Sequence, residues 1–190
     1  MIAELKERLD RLSKLDAQEL KEVLPLIVNE TRHSGIKEAM IEVPDLPARI
    51  MRRLVEIDAA KFASEAPEVV NCFADFLWEA AGIVAERTGR LKLLERFNEV
   101  NVSLEADDSP FACHFRINEG ELSGGSGLWP LKDQDFKYFG STSVLMRLLT
   151  GDLDMQRALF TELNFEGHPS WLLKLGPAMV IVIPSILRGY

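Results

Sequence analysis

Val100-Asn101-Val102-Ser103-Leu104-Glu105 decides how this chain folds. Apolar side chains fall there on every second residue, the spacing of a half-buried strand. Phe111, Cys113, Phe115 and Ile117 alternate with Ala112, His114 and Arg116 in the same way. Asp107-Asp108-Ser109-Pro110, between the two runs, is turn chemistry.

Upstream of Phe97 the period is that of a helix. Ile2, Leu5, Leu9 and Leu12 recur at spacings of three and four, and Leu20, Val23, Leu24 and Ile27 repeat the pattern after Asp16, an N-cap. Asn29 to Gly35 reads as a stop, followed by a connector with Pro44 and Pro47. Helix resumes at Leu46 with Ile50, Leu54, Ile57 and Phe62. A fourth helix from Pro67 carries Val70, Phe73, Leu77, Trp78, Ala81 and Val84 toward Gly89, with Leu91, Leu93 and Leu94 as an extension.

Downstream, Glu121-Leu122-Ser123 starts a third strand and Phe136 to Phe139 a fourth. Ser143 to Thr150 is a short helix closed by Gly151, a residue that tolerates the left-handed conformation. Asp154 caps the next helix, and Leu163 and Phe165 mark a last strand. The expected fold class is α+β: a helical region over 1–96, then a domain over 97–190 that mixes strands with short helices.

The 190 residues carry a net charge of −8, which argues against nucleic acid, because a phosphate backbone needs clustered cations. Cys72 and Cys113 are too few for a disulfide framework, and a reduced, cytoplasmic setting is the expectation. The opening residues lack the apolar core of a signal peptide. The tract from Leu175 to Leu187 is uncharged, but at about 13 residues, interrupted by Gly176, Pro177 and Pro184, it is short for a span. A soluble protein without stable membrane insertion is expected. The β-rich run Val180-Ile181-Val182-Ile183 reads as a buried last strand, a lid or a membrane-touching tip, in that order.

Motifs for chemistry are sparse. His33, His114 and His168 have no partner at metal-ligand spacing, so no metal is expected. Gly125-Ser126-Gly127 begins a dinucleotide fingerprint that Pro130 ends, and Leu128 spoils a nucleophile elbow at Ser126. Gly120 to Gly127 therefore reads as a flexible connection. Cys113 on the apolar strand face reads as a packed thiol. No catalytic residue and no cofactor is expected, and the chain reads as a non-enzyme.

One longer pattern stands out. Val144-Leu145-Met146-Arg147-Leu148-Leu149-Thr150-Gly151-Asp152-Leu153 is followed by Ala158-Leu159-Phe160, then Leu163-Asn164-Phe165-Glu166-Gly167 and Trp171-Leu172-Leu173-Lys174-Leu175. This resembles the sterol carrier protein 2 family of lipid-binding domains over roughly Phe97 to Leu175. Ser141-Thr142-Ser143 stand where the family has acidic residues, Glu162 stands alone where it has a Gly-Lys turn, and His168 replaces its Asp or Asn. The resemblance implies a curved, mostly antiparallel sheet covered by helices, with an apolar cavity for a sterol, fatty acid, acyl-CoA or isoprenoid-like lipid, held without covalent chemistry. Its lining would include Phe115, Leu145, Leu148, Leu149, Phe160, Leu163, Phe165, Leu172 and Met179. Taken singly these read equally as packed core, because core and cavity share one composition. The C-terminal segment would close the cavity. The rival reading is a scaffold or accessory subunit of a lipid or quinone biosynthesis assembly, acting through its N-terminal helices. Those helices must bury their stripes, either on the chain's own helices, on a helix-binding protein or in a homodimer.

Overall fold

Asp16 starts a helix by a reciprocal cap: its Oδ1 accepts from the Glu19 amide at 2.8 Å, and Glu19 Oε2 accepts from the Asp16 amide at 2.9 Å. The computed structural model describes residues 7–8, 11–95, 97 and 99–190, without the side chains of Met155 and Gln156. The stripe residues Ile2, Leu5 and Leu9 lie outside the described residues; Leu12 is buried. Helix α1 (Ala17–His33) buries Leu20, Leu24 and Ile27 inside the chain's own core.

The stretch read as a connector instead holds a short helix, α2 (Ile36–Glu42), whose Ala39 and Met40 are buried. Tertiary burial outweighs the weak local signal there. Helix from Leu46 breaks in two, α3 (Leu46–Glu56) and α4 (Ala59–Glu65), because Asp58 turns the chain and caps α4 through the Lys61 amide at 3.2 Å. Helix α5 (Pro67–Thr88) ends at a left-handed Gly89, so the expected extension to Leu94 becomes a single 3-10 turn, Arg90–Leu93.

Five strands form one sheet: β1 (Glu99–Ala106), β2 (Ala112–Asn118), β3 (Glu121–Ser126), β4 (Phe136–Gly140) and β5 (Leu163–Gly167). Their order is β3-β2-β1-β4-β5, antiparallel throughout except for the parallel β1–β4 pair. The glycine-rich run is therefore mostly a strand, and Gly124 is the reason α5 can close on it. A Cβ at Gly124 would lie 2.7 Å from Trp78 Cγ and also meet the His114 carbonyl oxygen. Trp78 in turn packs on Phe115, with ring centroids 4.9 Å apart.

Helix α6 (Thr142–Thr150) is capped by Ser141, whose Oγ accepts from the Val144 amide at 3.3 Å, and closes at Gly151 with φ +68°. Asp154 caps α7 (Met155–Thr161) through the Arg157 amide. The tail corrects the sequence reading. It is no strand: α8 (Pro169–Pro177), a π turn (Ala178–Val182) and α9 (Ile183–Leu187) run on as one helix. Pro177 lacks an amide donor, and the wider turn carries the helix past it. Burial of Met179, Val182, Ile183 and Ile186 outweighs the β propensity of the run. One continuous apolar core reaches from Leu12 to Leu187 and includes both halves of the chain. The fold class is α+β.

Candidate ligand site at the open edge of the sheet

Alternation in β4 sends Phe136 and Tyr138 to the apolar face, where both are fully buried. Register sets Tyr138 opposite Phe165 and Phe136 opposite Gly167 on β5. Phe165 stacks on Phe136 with centroids 5.5 Å apart and planes at 14°, and Phe136 meets Tyr138 edge-on at 4.9 Å. The result is a three-ring aromatic wall at the sheet's last strand.

Phe136 and Tyr138 are sealed, and only the outermost ring of the wall reaches water. Beyond Leu163 every residue of β5 is exposed, and Phe165 leaves 37% of its surface open despite facing inward. Phe160 on α7 is 89% exposed. Helix α8 buries only Leu175, while Trp171 and Leu172 are half-buried. Lys174 Nζ lies 4.8 Å from the centre of the Trp171 ring. On the opposite face Lys137 bridges Glu105 at 2.8 Å and Glu166 at 2.9 Å, which ties β5 to β4 and β1.

The Tyr138 hydroxyl is buried and has no hydrogen-bond partner among the described residues. Burial pushes its pKa upward, so the phenol stays neutral and keeps a proton to donate.

Among the residues named from sequence, Phe115, Leu145, Leu148, Leu149, Leu163 and Met179 are buried in the core. Phe165 and Leu163 share one face of β5, and Leu172 is half-buried on α8. Phe115 belongs to β2, with β1 and β4 between it and β5. Sequence reasoning missed Phe136, Tyr138 and Trp171. The alternation of Phe136 and Tyr138 was visible, but nothing local says that this strand sits next to the edge.

The polar candidates have structural roles. His33 Nδ1 bonds the Asn29 carbonyl at 2.8 Å, His114 Nδ1 bonds the Gly127 carbonyl at 3.0 Å, and His168 Nδ1 accepts from the Ser170 amide as a helix cap. Burial pushes the Cys113 thiol up to about 12, against a weaker opposing contact from the Trp78 indole. Among the described residues no three His, Cys, Asp or Glu side chains gather as a metal site.

A concavity of about 310 Å³ lies on the helical half and is lined by Arg8, Arg11, Leu15, Val23 and Leu26. Arg8 pairs with Glu30 at 3.0 Å.

No protein-family model matches the chain, and no curated protein matches it. Among solved structures it is similar to sterol carrier protein 2 from Yarrowia lipolytica in its apo form. The identity is 13% and the TM-score 0.41, over 61% of this chain and 90% of that one. It is also similar to the stereoselective inverting sec-alkylsulfatase Pisa1 from Pseudomonas sp., at 13% identity and a TM-score of 0.42. That match takes in 92% of this chain but only 30% of the sulfatase. Likenesses this shallow identify neither an activity nor a ligand for this chain.

Proposed function

We propose that the chain binds a long apolar molecule, of the fatty acid, acyl-CoA, sterol or isoprenoid type, at the β5 edge and without covalent chemistry. The observation that carries this reading is Phe165, an inward-facing ring stacked on the buried Phe136 yet 37% exposed, beside a buried Tyr138 hydroxyl without a partner among the described residues. An acyl chain or ring system laid along Phe165 would remove apolar surface from water at about 25 cal/mol per Å². A carbonyl or hydroxyl on that ligand would give the Tyr138 phenol the acceptor it lacks. An unpaired buried hydroxyl costs about 1–3 kcal/mol, and ligand pairing would offset that. The sequence pattern from Val144 to Leu175 supports the same class of ligand. The carrier would work as a soluble protein of the cytoplasm.

Lipid extraction and native mass spectrometry of the purified protein test this. The expected result is a bound apolar species that organic solvent releases and that returns when myristic acid is added back. Tyr138→Phe should weaken rebinding several-fold while holding or raising the melting temperature. A protein with no bound species, which also takes up neither fatty acid nor sterol, refutes the reading.

The second reading, an accessory subunit, is favoured by one observation: the cleft lined by Arg8, Arg11, Leu15, Val23 and Leu26. Its apolar floor of Leu15, Val23 and Leu26, with Arg11 at the rim beside the Arg8–Glu30 pair, suits an amphipathic segment of a partner or of a second copy. Val23→Asp should abolish such association in pull-down or light scattering and leave lipid uptake intact.

A further inference from the structure

The helix Pro169–Leu187 is apolar on two faces, and protein covers only one of them. Met179, Val182, Ile183 and Ile186 enter the core. On the other side Leu173, Pro177, Val180 and Ile181 follow at spacings of four, three and one, a single helical face. Leu173 is 82% exposed, Val180 45% and Ile181 60%. A helix at the surface of a water-soluble fold normally shows water its polar residues; between Lys174 and Ser185 this one has none. Its most apolar eighteen residues have a mean hydropathy of 1.7, and only 44% of that window is buried.

Charge narrows the choice of partner. From Pro169 to Tyr190 the charged side chains are Lys174 and Arg188, both cationic, in a chain of net charge −8. Trp171 stands under Lys174 at one end; at the other Arg188 is bound to Asp152 at 2.8 Å and Tyr190 is exposed. An aromatic residue at each end of an apolar stripe, with a cation beside one of them, is what the headgroup layer of a bilayer receives. A second copy laid in parallel on the same face would set Lys174 against Lys174, unfavourably.

We infer that this face docks on a lipid bilayer, with the helix lying flat in the interfacial layer and Lys174 at the phosphates. Spanning is excluded by the packing of the opposite face. The proposal goes beyond ligand binding and stands whether or not the β5 edge holds a ligand.

Flotation with phosphatidylcholine vesicles containing about one-fifth phosphatidylglycerol tests it. The wild type should rise with the vesicles. Leu173→Asp and Ile181→Asp should each cut the vesicle-bound fraction about tenfold, since each removes apolar contact and adds an anion at the interface. Lys174→Glu should cut it several-fold. All three should keep the wild-type melting temperature, because the positions are exposed. Uptake of a fluorescent fatty acid in vesicle-free solution should be unchanged in Ile181→Asp, which separates this proposal from the ligand reading. Wild type that stays at the bottom of the gradient overturns docking. So does a wild-type dimer that Ile181→Asp dissociates, because a second copy would then cover the face.

Discussion

The two ends of the sheet solve the same problem differently. At the β3 end, α5 lies against the strand so closely that position 124 has room only for glycine, and Trp78 fills the space over Phe115. At the β5 end every residue of the strand beyond Leu163 is exposed, and Phe165 keeps about a third of its surface in water. Packing of the first kind builds stability, since a filled interior gains dispersion and burial at every contact. Leaving the second end open gives some of that up and leaves an apolar surface on which something else can be buried.

The largest expected effect lies at the closed end. Trp78→Ala should cost about 3–5 kcal/mol in chemical denaturation, because the indole is fully buried and little can collapse into its place. Gly124→Ala comes next, at about 1–3 kcal/mol, since its methyl group would collide with backbone and with Trp78. Were either variant as stable as wild type, the closed end would be no more tightly packed than the open one, and the contrast would fail.

A smaller effect sharpens the contrast at the turn that follows α6. Asp152 Oδ2 accepts from Arg52 Nε at 2.8 Å and its Oδ1 from Arg188 Nη2 at 2.8 Å, which fastens the packed end of the C-terminal helix to α3. Burial pushes this carboxyl up, but hydrogen bonds from Arg52 and Thr150 and the charges of Arg52 and Arg188 outweigh it and hold it below the usual carboxylate range. The folded value is therefore below the unfolded one. The stabilisation is complete above the ordinary Asp value of 3.8 and drains away as pH falls through the lower folded value. Because the groups are partly exposed, the contribution should stay within about 1 kcal/mol. Denaturation of wild type and Asp152→Asn between pH 2 and 6 checks this: the gap should narrow toward acid, and a constant gap would contradict it.

Much of this architecture was legible in the sequence, for definite reasons. Period-two alternation located β1 and β2, and Asp16, Asp154 and Gly151 marked helix ends because capping and left-handed backbone are local chemistry. Val180–Ile183 was misread because β propensity is also local, whereas the helix there is held by core packing that no short window contains. The glycine-rich run misled in the opposite sense. Gly124 is there for the approach of Trp78, from a helix far upstream in the chain, and not for flexibility. At the candidate site Phe165, Phe160 and Leu172 were named, while Phe136 and Tyr138 were not, because strand order is a long-range property that alternation does not carry.

The smallest expected effect on stability coincides with the largest on function, at Phe165. Equilibrium titration of the delipidated protein with cis-parinaric acid, beside thermal melts, tests the open edge most directly. Wild type should show saturable, one-to-one uptake that unlabelled fatty acid displaces, and Phe165→Asp should lose it with a melting temperature within a few degrees of wild type. Uptake that persists in Phe165→Asp, or that never saturates in wild type, would contradict a ligand site at the β5 edge.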